Sequence, residues 1–182
     1  MGIDLLVDGA MADSALLYAN NTDYMSVSAG TRNIQFNSTG TTTALIDADF
    51  PLEAGVSYSL FTSGAVSSIG TLVLRDTLET PPAGQARVRF IHLSPDAPGV
   101  DIAVTGGSGT LASDVTFREA TSFVALPGGT YNLELRAMGT TTVILPIPGV
   151  TIQAGRNYTI FVRGFAAGVG VQALGTGTIV NS

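Results

Sequence analysis

Leu52-Glu-Ala-Gly-Val-Ser-Tyr-Ser-Leu-Phe-Thr-Ser-Gly64 returns later in the chain as Ile152-Gln-Ala-Gly-Arg-Asn-Tyr-Thr-Ile-Phe-Val-Arg-Gly164, without a gap. Outward from there, Tyr24-Met-Ser-Val-Ser-Ala-Gly-Thr31 reads against Phe123-Val-Ala-Leu-Pro-Gly-Gly-Thr130, and the turn Gly40-Thr-Thr-Thr43 against Gly139-Thr-Thr-Thr142. The spacing is about 100 residues at each anchor, too long for solenoid units of roughly 20–50 residues and close to the size of one β-sandwich. The chain therefore reads as two tandem domains, residues 1–80 and 84–182, related by an internal repeat. The stretch Arg75-Asp-Thr-Leu-Glu-Thr-Pro-Pro-Ala-Gly-Gln85 is the expected linker. A unit of this size buries somewhat over about 60% of its unfolded surface, so each half is expected to hold its own core.

The dominant periodicity is two. Apolar and polar positions largely alternate in Ile3-Asp-Leu-Leu-Val-Asp-Gly9, Thr31-Arg-Asn-Ile-Gln-Phe-Asn37 and Thr130-Tyr-Asn-Leu-Glu-Leu-Arg136, the signature of strands buried on one face. Residues 56–61 and 157–162 are rich in β-branched and aromatic residues and follow an Ala-Gly turn, which predicts core strands. Thr22 to Val27 and Thr121 to Leu126 are predicted as a further matched pair of strands. Asp13 to Ala19 is expected to form at most a turn of helix. Pro127-Gly-Gly129, Asp8-Gly9 and Gly106-Gly-Ser-Gly109 supply turns at strand ends. The fold class is all-β.

Composition removes several function classes. The net charge is −6 and every basic residue is an arginine. An acidic chain with no basic stripe is poorly suited to nucleic-acid backbones or anionic lipid surfaces. The absence of lysine removes Schiff-base chemistry and the P-loop lysine. With no cysteine there are no disulfides and no thiolate metal sites. No run approaches the 18 or so apolar residues of a membrane span. No signal peptide is visible, and an export signal is expected upstream of this segment.

One asymmetry separates the halves. The second opens with Ala86-Arg-Val-Arg-Phe-Ile-His-Leu93, then Ser94-Pro-Asp-Ala-Pro98, and its Val100-Asp-Ile-Ala-Val104 aligns with Ile3-Asp-Leu-Leu-Val7. The first half has only Met1 and Gly2 before that point, so its opening strand is not found. A sandwich short of one strand exposes backbone donors, acceptors and an apolar groove. Three sources of a strand are expected: chain upstream of residue 1 (the preferred origin), exchange with another chain, or the tail Gly175 to Ser182 reaching back. An open edge favours association through strand addition, including a homo-oligomer.

The string Ala86-Arg-Val-Arg-Phe-Ile-His-Leu-Ser-Pro-Asp-Ala-Pro-Gly-Val-Asp101 resembles the opening signature of domain-of-unknown-function family 4397. Phe123 to Tyr131 and Ile152 to Thr159 resemble its second and third blocks. The first half resembles those two blocks through Tyr24 to Arg32 and Leu52 to Ser59, and lacks the opening one. The resemblance implies immunoglobulin-like or transthyretin-like β-sandwiches of bacterial exported or surface proteins, often in tandem, with no established activity.

Chemistry-bearing residues are sparse. His92 is the single histidine, two residues from Ser94 and four from Asp96, an arrangement that invites a Ser-His-Asp hydrolase reading. On an extended strand, residues i and i+2 stand about 6.5–7 Å apart, too far for a hydroxyl–imidazole bond. His92 is instead expected to cap the sandwich end and bond the Ser94-Pro-Asp-Ala-Pro98 turn. Asp96 suits a turn carboxylate accepting backbone N–H groups. Asp101 and its repeat mate Asp4 are each placed to bond a neighbouring loop. Calcium is the functional counter-reading for Asp96 and Asp101, although no dense Asp-x-Asp-x-Asp run is present. Asp47 and Asp49 share a strand face and are expected to be solvated. Gly168-Val-Gly170 and Gly175-Thr-Gly177 lack the strand–helix frame of a dinucleotide site. Tyr18, Tyr24, Phe117 and Phe123 stand at paired positions and are expected in the cores.

These readings lead to a non-enzymatic exported module in display, adhesion or matrix interaction, without catalytic residue, metal or cofactor. Its expected partners are proteins or cell-surface polysaccharide, outside the cell or in the periplasm, and not nucleic acid. The competing reading is a glycan- or peptide-binding module that uses sandwich-end loops or the open edge of the first repeat. His92, Ser94, Asp96 and Asp101 are the candidate binding residues.

Overall fold

The computed structural model describes residues 2–107 and 109–181. Met1, Ser108 within the Gly106–Gly109 turn, and Ser182 of the tail lie outside the described residues. Among the described residues the chain is all-β apart from two short 3₁₀ turns, and it divides into two compact units between Thr77 and Leu78.

In unit 2, β7 (Gln85–His92), β8 (Val100–Val104), β9 (Thr110–Val115), β10 (Val124–Pro127), β11 (Gly129–Ala137), β12 (Val143–Ile152), β13 (Asn157–Arg163) and β14 (Gly175–Asn181) make two four-stranded sheets. Their orders are β12-β11-β8-β9 and β10-β7-β13-β14. All neighbours are antiparallel except β7 and β13, which run parallel with Val88 opposite Tyr158 and Phe90 opposite Ile160. Val88, Phe90, Tyr158, Ile160 and Val162 from one sheet interlock with Val100, Ile102, Leu133, Leu135 and Ile147 from the other in a single core. This is a β-sandwich, and the period-two pattern read in residues 130–136 lays Leu133 and Leu135 inward.

In unit 1, β1 (Gly2–Val7), β2 (Ala10–Leu17), β3 (Gly30–Ser38) and β4 (Ala44–Leu52) form a sheet of order β2-β1-β3-β4. Strands β5 (Ser57–Ser63) and β6 (Gly70–Asp76) form a separate two-stranded antiparallel pair. The four-stranded sheet has the connectivity of β9-β8-β11-β12, and β5-β6 that of β13-β14. Among the described residues, no strand of unit 1 stands where β7 and β10 stand in unit 2.

Several expectations need correction. Thr22 to Val27 is not a strand, whereas residues 124–127 of its repeat mate are. β10 gains its ladder by pairing with β7, and the same sequence type without that neighbour stays irregular. Asp13 to Ala19 is not helical: most of it is β2, bulged against β1. The linker is shorter than read, because β6 runs through Asp76. The tail Gly175 to Asn181 is used within unit 2, as β14 paired with β13. The first half does not build a core equal to the second: the buried apolar cluster lies wholly in unit 2, and the buried apolar residues of unit 1 are Ile34 and Phe36. The paired aromatics are not core either. Tyr18 and Tyr24 are exposed, and the Phe123 ring sits under the guanidinium groups of Arg87 and Arg89 at 5.2 and 5.0 Å.

Candidate functional site

The four candidate residues all lie in unit 2, at the end of β7, in the loop after it and at the start of β8. His92, the last residue of β7, and Ser94 are fully buried. The imidazole is used on both sides: Nδ1 accepts the Ser94 N–H at 3.2 Å and Nε2 donates to the Pro98 carbonyl at 2.9 Å. The expectation that His92 bonds its own following turn holds. The Ser94 hydroxyl donates to Asp96 at 3.4 Å instead of facing the imidazole, so no nucleophile–base pair forms. Burial pushes the His92 pKa down, against the raising effect of the Pro98 carbonyl, which fits a neutral ring. The backbone here is also tied, with the His92 N–H donating to the Glu119 carbonyl at 3.0 Å and the His92 carbonyl accepting from the Arg118 N–H at 2.7 Å.

Asp96 does accept backbone N–H groups, but not from its own turn alone. Its carboxylate reaches Ala166 at 2.7 Å and Ala167 at 3.4 Å, pinning the β13–β14 loop. These bonds, Ala166 foremost, hold its pKa below the usual carboxylate value.

Asp101 reaches in the opposite direction, toward β9 and the β11–β12 turn. Its two oxygens accept the N–H groups of Asp114 and Gly139, each at 2.9 Å. Unit 1 repeats the device: Asp4 accepts Ala15 N–H at 2.8 Å and Gly40 N–H at 2.9 Å, and these bonds lower its pKa. Each clamp holds a bulged residue at positive φ, +56° at Ala15 and +57° at Asp114, a conformation that non-glycine residues adopt at a cost of roughly 1–3 kcal/mol unless the surroundings fix it. Asp4 and Asp101 were legible as loop-bonding residues, whereas the strained partner residues carried no sequence signal.

The four candidates are therefore neighbours without converging on one open site. Among the described residues no group of three or more His, Asp and Glu side chains is placed to hold a metal ion. Asp47 and Asp49 share one exposed face, as expected, and both accept from Asn33 Nδ2, at 2.8 and 3.0 Å. An open depression on unit 2 is lined by Leu111, Asp114, Arg118, Glu119 and Ser122, and includes none of the four candidates. No helix is long and apolar enough to cross a membrane, a statement that says nothing of β-barrels.

What sequence reasoning missed is the polar track on the outer face of the β7–β13–β14 sheet. Arg89 Nε donates to Thr159 Oγ1 at 2.8 Å, and Thr159 Oγ1 to Asn181 Oδ1 at 2.6 Å, all three residues being buried. In unit 1 the corresponding positions are Ser59 and Asp76, joined at 2.6 Å, with the Tyr24 hydroxyl also donating to Asp76 at 2.5 Å. The pairing of Thr159 with Ser59 was visible in the repeat, but its role depends on cross-strand register.

Among curated proteins, none matches the chain at a significant level. The profile of a domain of unknown function, DUF4397, matches residues 1–103, which takes in all of unit 1, β7 and most of β8. The chain belongs to the DUF4397 family.

Proposed function

We propose that the chain is a non-enzymatic, exported module of two tandem copies of one β-sandwich domain, acting in display, adhesion or matrix interaction. The observation that carries this reading is how the polar side chains are used. His92, Ser94, Asp96, Asp101 and Asp4 each hold backbone or turn groups of their own unit in place, which is work for a rigid scaffold. The matched sheet orders and the two matching Asp clamps support the duplication. Fractionation and surface proteolysis of the source cells test the location, and recovery solely in the cytosol would overturn export. His92→Ala tests the chemistry: a scaffold loses stability alone, whereas loss of a hydrolytic turnover in the folded variant would refute the non-enzymatic reading.

A second reading is favoured by a specific observation, the two-stranded β5-β6 sheet of unit 1. In it the open edge of β5 binds a ligand, glycan or peptide. A glycan array and a peptide pull-down separate it from pure display, since silence in both removes it.

A further inference from the structure

We propose that His92 is an acid-operated latch: when its ring takes a proton, the Ser94–Asp96 turn lets go of the β13–β14 loop while the core of unit 2 stays closed.

The ring is held between one group that can only donate and one that can only accept. The Ser94 N–H gives its hydrogen to Nδ1 at 3.2 Å, and the Pro98 carbonyl takes the hydrogen of Nε2 at 2.9 Å. The neutral ring with its hydrogen on Nε2 is the form that satisfies both. A second proton has one place to go, Nδ1, where it meets the Ser94 N–H head-on. His92 and Ser94 are both fully buried, so neither donor has water to turn to, and the Ser94 backbone must move away.

That movement has a short route to the loop. The Ser94 hydroxyl donates to Asp96 at 3.4 Å, and the Asp96 carboxylate holds the N–H groups of Ala166 at 2.7 Å and Ala167 at 3.4 Å. Bonds inside the loop, from Phe165 N–H to the Gln172 carbonyl and from Gly168 N–H to the Phe165 carbonyl, keep its shape without tying it to the turn after β7. The loop carries Val169 and Val171, 83% and 78% exposed, so its release changes how these two side chains are presented. His92, Ser94, Asp96 and Ala166 all stand outside the apolar cluster, and this end of the sandwich can open without unpacking Phe90, Ile160 or Val162.

The charged groups on the elements around the ring are engaged elsewhere. In the segment whose backbone bonds His92, Glu119 accepts the Thr116 N–H and hydroxyl, and Arg118 lies over the Phe117 ring at 4.7 Å. On β13, where Val162 stands opposite His92, the next residue Arg163 donates to the Val171 carbonyl. Asp101 of β8 holds Asp114 and Gly139, and Arg87 and Arg89 of β7 lie over Phe123. The carboxylate joined to the ring through Ser94 is that of Asp96. His92 and Asp96 are held below their ordinary values of 6.5 and 3.8, so Asp96 stays ionised through the range in which His92 takes its proton. The new imidazolium then competes with Ala166 and Ala167 for that carboxylate, which works in the same direction as the displaced Ser94.

The test uses the full chain, whose single histidine gives one imidazole titration by NMR. Amide exchange, corrected for its intrinsic pH dependence, is followed at Ala166 and at Ile160 of the core from pH about 7 to about 4. Ala166 protection falls about tenfold or more along the His92 titration, while Ile160 keeps its own. In His92→Gln, whose amide offers Ser94 an acceptor and Pro98 a donor without a charge, Ala166 stays protected through the same range. Ala166 protection that does not change across the ring titration overturns the proposal. A loss that Ile160 shares at the same pH overturns it too, because the whole unit then unfolds. An equal loss in His92→Gln assigns the release to another group and also overturns it. The first two outcomes need no variant, so they decide even where the glutamine chain fails to fold.

Discussion

Replacing Asp101 by alanine tests whether this residue is a structural clamp. Its carboxylate holds two backbone N–H groups, of Asp114 and Gly139, each at 2.9 Å, and the residue is 6% exposed. Hydrogen bonds to a charged acceptor are worth about 1.5–3 kcal/mol each. Both donor residues, Asp114 at the β9 bulge and Gly139 in the β11–β12 turn, are exposed, so water can replace some of that and about 1 kcal/mol per bond survives as a net loss. The bulge at Asp114 (φ +57°) loses its anchor as well and contributes up to about 1 kcal/mol. The sum is about 2–3 kcal/mol. With a urea slope of about 2 kcal/mol per M, the midpoint of unit 2 falls by about 1–1.5 M. Asp101→Asn is the sharper variant, because an amide offers one acceptor and turns its NH2 toward the other donor. It recovers at most half of the loss. Urea titration followed by near-UV circular dichroism of Tyr131 and Tyr158, with amide exchange at Asp114 and Gly139, reads both effects. A midpoint shift under about 0.3 M for alanine, or full rescue by asparagine, would refute the clamp.

Three further outcomes are expected. Burial lowers the folded-state pKa of His92 below 6.5, so the unfolded chain binds the extra proton; stability falls as pH drops below about 6.5 toward the lowered value, is flat above it, and loses this slope in His92→Gln, measured by urea midpoints across pH. Asp96 is shifted down by the Ala166 and Ala167 N–H groups, so its contribution is present above about 3.8 and lost as pH falls through the lower folded value; Asp96→Ala speeds Ala166 amide exchange at neutral pH. Gly164 sits at φ +86° with the Ala173 carbonyl where a Cβ would stand, so Gly164→Ala costs about 3 kcal/mol or more, against about 1 kcal/mol for Gly139→Ala at φ +70° in open space, both read by thermal unfolding.

The alternation made the strands of unit 2 legible, because period-two burial is a local property of residues such as Leu133 and Leu135. The polar clamps were half legible. Asp101 could be seen to face a loop, but its partners lie 13 and 38 residues away, set by a bulge and a turn that only the folded sheet brings together. Asp96 likewise closes on Ala166 across 70 residues. The aromatic positions misled because Tyr24 and Phe123 preserve apolar character for a different reason. Phe123 stacks under Arg87 and Arg89, and Tyr24 donates to Asp76.

Residues 22–27 expose the physical root of the largest miss. Strand propensity is chiefly a fit to a pleated neighbour. Residues 124–127 have β7 beside them and form β10, while residues 22–27 have no such neighbour and form none. The energetic consequence follows from the same strand. Burying a valine and a phenylalanine contributes about 1.5–3 kcal/mol each, so a sandwich without the equivalents of Val88 and Phe90 forgoes about 3–6 kcal/mol. Against a domain stability of about 5–15 kcal/mol that is a large share. It accounts for a buried apolar interior in unit 1 reduced to Ile34 and Phe36, while unit 2 carries the whole cluster. A unit with that deficit gains more from an added strand than a complete one does. The thin interior and the β5-β6 pair that no third strand joins among the described residues are thus one property of unit 1.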